Sequence, residues 1–287
     1  MGKKIIIQGA DFSANGITIP MTIKIKANQS ITIEGTTYNG GESGASFELD
    51  ATPTTLRAAA SSTAIESIFI NDSDFILSSA YFENNAGLTD VKFLMGSFSS
   101  ATSLRNTFSQ CTTIRSITGL GNINTENITD LGYLFRNCSQ LTSIDVSSFD
   151  TTYVTSMMLM FSGCSSLTSL DLSSFNTSRV SNITRMFASC SGLQTLTLGE
   201  NWDMITGNPS VVDVFYSCDN LASIIAPACV ASQYATEGTQ IKKLIDVIAG
   251  SGFLANRQLI PLVITCANNE TVIGTYVHGA GWSWSLN

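Results

Sequence analysis

The sequence predicts an α/β solenoid: stacked short units with a parallel sheet along one side and short helices along the other. A small N-terminal β module and a C-terminal helix-plus-hairpin cap complete it. Three observations lead there. Five cysteines, at 111, 138, 164, 190 and 218, are spaced by 27, 26, 26 and 28 residues. Each has Phe three residues before it and Leu or Ile three after, in the pairs Phe108/Ile114, Phe135/Leu141, Phe161/Leu167, Phe187/Leu193 and Phe215/Leu221. Within each unit an apolar period of two alternates with one of three to four. A repeat of this length marks an array whose units bury their apolar faces only by stacking.

The array extends upstream in weaker form. Phe82, Asn85 and Leu88 keep the spacing with Asn in the Cys position, and Ile65, Ile68 and Ile70 keep the segment that follows it. About seven units therefore fill residues 56–228, leaving 1–55 as the N-terminal module and 229–287 as the cap.

Each unit begins with a strand. Leu167-Thr-Ser-Leu170-Asp-Leu172 ends with apolar residues two apart, the mark of a strand with one buried face. Ahead of the cysteine, Val154, Met157, Met160, Phe161 and Cys164 share one side of a helix, as do Ile128, Leu131, Leu134, Phe135 and Cys138. Thr151, Thr152, Thr177 and Ser178 stand where they can accept from the first free amides of these helices. A strand reading L-x-x-L-x-L followed by a helix is a leucine-rich-repeat layout.

The ends read differently. Met21-Thr-Ile-Lys-Ile-Lys and Ile31-Thr-Ile-Glu alternate around the turn-like Ala27-Asn-Gln-Ser, predicting a hairpin, and Gly35 to Gly44 reads as a loop. Ile241, Leu244, Ile245 and Ile248 mark an amphipathic helix stopping near Gly250. Leu262–Cys266 and Thr271–Val277 flank Ala267-Asn-Asn-Glu as a second hairpin. Both ends can close the open core of the array.

The stretches Leu167-Thr-Ser-Leu-Asp-Leu-Ser-Ser-Phe-Asn-Thr-Ser-Arg-Val and Met186-Phe-Ala-Ser-Cys-Ser-Gly-Leu resemble the BspA-like leucine-rich repeats of bacterial, Bacteroidetes-type surface proteins. The resemblance is strong over 125–200, looser over 56–228 and absent outside. It implies a right-handed solenoid and adhesion to host proteins or other cells, with no catalytic residues to carry over. Members of that family are exported. Here Lys3 and Lys4 precede only Ile5–Ile7 before Gln8 and Gly9, too short an apolar run for a secretory signal, and Ile6 stands where a myristoylation pattern wants Ser or Thr.

Composition narrows the function classes. Only 13% of residues are charged, whereas 38 Ser and 32 Thr make about a quarter of the chain hydroxyl-bearing. Net charge is −8 with no basic cluster, which excludes a phosphate-neutralising nucleic-acid binder and an anionic membrane surface. No apolar run reaches the roughly 20 residues that span a bilayer.

Catalytic and metal signatures are equally thin. The single histidine, His278, has no nucleophile motif beside it, so a hydrolase is the remote alternative. No C-x-x-C or H-x-x-x-H spacing offers zinc ligands. The periodic cysteines share the face that carries Phe and Met and read as small buried hydrophobes, with stacked disulfides as the rival; Cys229 and Cys266 stand outside that period. Asn71-Asp72-Ser73-Asp74 lacks the glycine and distant Glu of a calcium loop and reads as a turn, and Gly35–Gly44 lacks the lysine and helix of a phosphate loop. No cofactor or metal is expected.

What remains is a surface. Outward strand positions should align as one stripe of Ser67, Asp90, Ser116, Ser143, Ser169, Thr195 and Ser223. A second should hold Phe69, Lys92, Thr118, Asp145, Asp171, Thr197 and Ile225. Trp282 and Trp284, on one face of a terminal strand, are the other candidate contact, with core or cap packing as the favoured reading of the pair. The reading is a non-enzymatic, surface-displayed repeat protein that recognises protein or glycan on a host or neighbouring cell. A phage virion component, such as a tail or head-fibre protein, is the alternative. Oligomeric state stays open.

Overall fold

The protein is described from a computed structural model covering residues 21–33, 36–49, 63–70, 76–94, 99–100, 102–233, 235–250, 261–277 and 281–287. The first described strand, β1 (Met21–Ile25), buries Met21, Ile23 and Ile25. Strands β2 (Ser30–Ile33) and β3 (Thr36–Asn39) form a two-stranded hairpin, and β4 (Ala45–Leu49) returns to pair antiparallel with β1. The expected pairing is thereby corrected: the Met21 and Ile31 stretches lie in different sheets, although a turn does join them. Thr36–Asn39, inside the expected Gly-rich loop, is strand, because its alternating positions meet Ile31 and Ile33 across the hairpin.

The repeat then begins. Strands β5 (Ile65–Ile70), β7 (Asp90–Phe93) and β9 (Ser116–Thr118) run parallel, with Ile68, Val91 and Ile117 in register. Strand β1 adds antiparallel to the free side of β5, and Lys24 Nζ reaches Glu66 Oε1 at 2.7 Å across that join. A second parallel run is β10 (Ser169–Leu172), β11 (Thr195–Leu198) and β12 (Ser223–Ile225). Between the two runs, Leu141–Val146 occupies the strand position of its unit without entering a ladder, so the sheet is in two halves. A two-residue pair, β6 (Ile76–Leu77) with β8 (Ser99–Ser100), lies apart from both.

The other side of each unit differs from the helical expectation. Residues 104–111, 131–138, 157–164 and 183–190 are runs of turns, and the amides alternate in destination. Leu104, Asn106, Phe108 and Gln110 donate to Asp130, Gly132, Leu134 and Arg136 of the next coil, at 2.8–3.1 Å; Thr107, Ser109 and Cys111 donate three residues back within their own coil. Later coils repeat the scheme, as in Tyr133 to Met158, Phe161 to Met186 and Ser189 to Tyr216. An α-helix would use every amide inside the coil. The register also needs left-handed backbone at two positions per coil, Asn106 and Gln110, Tyr133 and Asn137, Leu159 and Gly163, Arg185 and Ser189, Asp213 and Ser217.

The apolar spacing misleads because a run of i→i+3 turns repeats every three residues. Ile128, Leu131, Leu134, Phe135, Cys138 and Leu141 satisfy that period as well as 3.6. The left-handed positions cost roughly 1–2 kcal/mol each for non-glycine residues. Intercoil hydrogen bonds on both sides of the coil offset that cost. The expected helix caps are corrected too: Thr151 Oγ1 accepts from Asn176 N (2.8 Å) and donates to Asn176 O (3.0 Å) one coil on, and Thr177 does the same with Asp203 (2.6 and 3.0 Å).

Between the sheet and the turns runs one core. Phe82, Phe108, Phe135, Phe161, Phe187 and Phe215 stack at centroid distances of 5.1–6.2 Å, nearly parallel. Each such pair adds about 0.5–1.5 kcal/mol beyond its burial. The chain ends in α1 (Gln240–Gly250), whose Ile241, Leu244, Ile245 and Ile248 are buried as expected, and in β13 (Leu262–Thr265), β14 (Thr271–Val277) and β15 (Gly281–Leu286). Strand β13 extends the solenoid sheet parallel to β12, and β14 and β15 follow antiparallel. The fold is a β-rich solenoid of stacked coils with a small helical part.

Candidate binding surface

The strand pleat decides which residues face out. In β10–β12 the inward Leu170, Leu196 and Ile224 are buried, which turns Ser169, Thr195 and Ser223 outward, and after them Asp171, Thr197 and Ile225. Both rows are in register residue for residue. In the first half, Ser67, Asp90 and Ser116 form one row and Phe69, Lys92 and Thr118 the other. Ser143 and Asp145 are exposed between the halves but stand outside any ladder. Ser67 departs from the expected open stripe: it is buried, opposite Lys24 of β1.

The rows run further than the sequence suggested. Ser223 is opposite Val263, which meets Ile273 and then Ser285; Ile225 is opposite Thr265, which meets Thr271. The outward face thus continues from the repeats onto the terminal hairpin. The signal was present in the alternation of Leu262-Val-Ile-Thr-Cys266, but no cysteine period marks that strand as part of the array. Among the described residues, the strands of this face carry two open large apolar side chains, Phe69 and Ile225, each 39% exposed.

Electrostatics here are weak and local. Asp145 Oδ1 accepts from the hydroxyl (2.6 Å) and amide (3.0 Å) of Ser147, and these bonds hold its carboxyl below the usual range. Asp171 Oδ1 accepts from the Ser173 amide at 2.8 Å. Both acids therefore start turns at the strand end. Among the described residues no group of three or more His, Cys, Asp or Glu could hold a metal ion, and no helix is long and apolar enough to cross a membrane. His278, Asn71–Asp74 and Gly35 lie outside the described residues.

Trp282 and Trp284 are not brought to this face. Trp284 is opposite Gly274, in the row that continues the buried Leu262, and Trp282 is opposite Tyr276 two positions along on the same strand face. The pair stacks at 5.0 Å and borders a groove of about 640 Å³ against Ile245, Asp246 and Lys242 of α1. A Cβ on Gly274 would run into the Trp284 ring, so the indole needs glycine there.

Aromatic and guanidinium groups collect on the turn side instead. The Arg105 guanidinium sits 4.5 Å over Tyr133 and binds Asp130 at 3.1 Å, and Arg179 covers Tyr153 at 4.9 Å. Sequence reading missed these pairs, since each partner comes from a different turn or coil.

This geometry defines the class: a stacked-repeat solenoid with an extended sheet face. A family model described as "Mycoplasma protein of unknown function, DUF285" matches residues 102–226. A leucine-rich repeat protein from Bacteroides ovatus ATCC 8483, known from its crystal structure, is similar at 16% identity, covering 72% of this chain and 75% of that one with a TM-score of 0.30. No curated protein matches the chain.

Proposed function

We propose that this solenoid is a surface-displayed, non-enzymatic protein that binds protein or glycan partners through the outward sheet face. The observation carrying this reading is the row from Asp171 through Thr197 and Ile225 to Thr265 and Thr271. It is in register and spans repeats and hairpin alike. Rows of hydroxyls offer donors and acceptors at the strand spacing of about 4.8 Å, and a solenoid holds such rows rigid over a long reach. Phe69 and Ile225 supply apolar anchors near either end, with Lys92, Thr118, Asp145, Asp171 and Thr197 between them. The pieces 1–55 and 229–287 serve in this reading as closures of the core, and the Trp282–Trp284 pair as packing within the second.

Beads coated with the full chain test this by attachment to immobilised extracellular-matrix proteins and to a glycan panel. Attachment should fall at least fivefold for Phe69→Ser combined with Ile225→Ser, and stay unchanged for Tyr153→Ser at the Arg179 corner. No attachment to either panel, or loss with Tyr153→Ser alone, overturns the reading.

A further inference from the structure

We propose that Cys229 and Cys266 form a modification site: a small-molecule disulfide oxidant joins their sulfurs and fastens the C-terminal helix and hairpin to the last coil. The backbone brings the two together. Strands β12 and β13 pair as far as Ile225 and Thr265, the Ala226 amide donates to Thr265 O at 2.7 Å, and the Ala267 amide donates to Cys229 O at 3.1 Å. Cys229 lies four residues beyond Ile225, whereas Cys266 lies one beyond Thr265. The side chains therefore come from turns of different length and approach each other out of register. Both are buried, and the thiols lie close enough that each is the first influence on the other's titration.

The five periodic cysteines are held otherwise. Each donates to the carbonyl of a phenylalanine one coil back: Cys111 to Phe82, Cys138 to Phe108, Cys164 to Phe135, Cys190 to Phe161 and Cys218 to Phe187, at 2.9–3.2 Å. Neighbours in that ladder point the same way at a coil spacing near 4.8 Å, beyond the usual disulfide Cβ separation of about 3.5–4.5 Å. Burial also pushes their thiols up, Cys111 and Cys190 to about 12. In the Cys229–Cys266 pair that mutual influence lowers Cys266 and raises Cys229, so Cys266 supplies the attacking thiolate.

With glutathione disulfide as oxidant, the Cys266 thiolate attacks one glutathione sulfur and displaces a glutathione thiolate. Cys229, losing its proton to solvent, then attacks the Cys266 sulfur of the mixed disulfide and displaces the second glutathione. Two protein thiols are oxidised and one glutathione disulfide is reduced to two glutathione thiols.

The full chain is equilibrated with glutathione disulfide, unfolded in acid, alkylated and mapped by mass spectrometry. The expected result is five alkylated cysteines and one linked peptide joining Cys229 to Cys266. Cys190→Ser should keep the link, and Cys229→Ser and Cys266→Ser should each abolish it. On the unmutated chain, reductant should lower the melting temperature by several degrees. Seven alkylated cysteines, a stable glutathione adduct, or a link between ladder cysteines overturns the proposal.

Discussion

The Cys164 thiol donates to the carbonyl oxygen of Phe135, one coil back, at 3.1 Å, and both residues are buried in the single core. Four other cysteines make the same bond, and the Asn85 amide donates to Phe82 O at 2.9 Å in the unit where Asn replaces Cys. These thiols must stay protonated to fold. Burial raises the folded values, to about 12 for Cys111 and Cys190, above an unfolded value near 9. A group raised in the folded state contributes stability below its unfolded value and loses it as pH climbs toward the folded one. Urea midpoints should therefore fall steadily from pH 9 to 12, and Cys164→Ala at neutral pH should cost about 1–2 kcal/mol.

Thr151 holds two coils at a corner through both hydrogen bonds to Asn176. Thr151→Val keeps the shape and strands a donor and an acceptor in a buried place. Urea unfolding should show a loss of about 1–3 kcal/mol. Thr151→Ser, which keeps the hydroxyl, should lose markedly less.

Ser189 is exposed at φ 60°, in the position that Gly163 (φ 78°) holds one coil earlier. Relief of left-handed strain outweighs the added freedom of the unfolded chain. Ser189→Gly should raise stability by up to about 1 kcal/mol. In a helix the same change would lower it by a similar amount.

Asp203 ties the last coil to α1. Its Oδ1 accepts from Gln240 Nε2 at 2.8 Å, while the Met204 amide donates to Gln240 Oε1 at 2.9 Å. Burial alone would raise this carboxyl, but hydrogen bonds from Thr206, Ile205 and Gln240 outweigh it and hold the group at about 2. A depressed carboxyl contributes stability above its unfolded value near 3.8 and loses it as pH falls toward 2. Acid titration should release α1 first, and Asp203→Asn should flatten that arm of the pH profile.

The strand positions and both outward rows were legible because an alternating pleat leaves a period of two, and the cysteine spacing fixed which residues share a row. Helix α1 was legible for the same reason at 3.6. The turn runs were not, since Ile128, Leu131 and Leu134 fit a three-residue turn as well as a helix, and intercoil bonds from Asn106 or Phe108 leave no mark on local spacing. Asn106, Asn137 and Gly163 were the available clue, because Asn and Gly favour left-handed backbone. Packing of Trp282 and Trp284 was the favoured reading of their spacing on one face, and only their partners, Gly274 and Tyr276, depended on the register of β14 with β15.

The central claim is that runs of turns, not helices, bond each coil to the next through backbone hydrogen bonds, which is what stacks the strands of the outward face. Backbone chemical shifts of the full chain, assigned over residues 104–190, test it most directly. The account predicts left-handed shifts at Asn106, Gln110, Tyr133, Asn137, Leu159, Arg185 and Ser189, with no helical run over 104–111, 131–138, 157–164 or 183–190. Continuous helical shifts through those four runs would contradict the account.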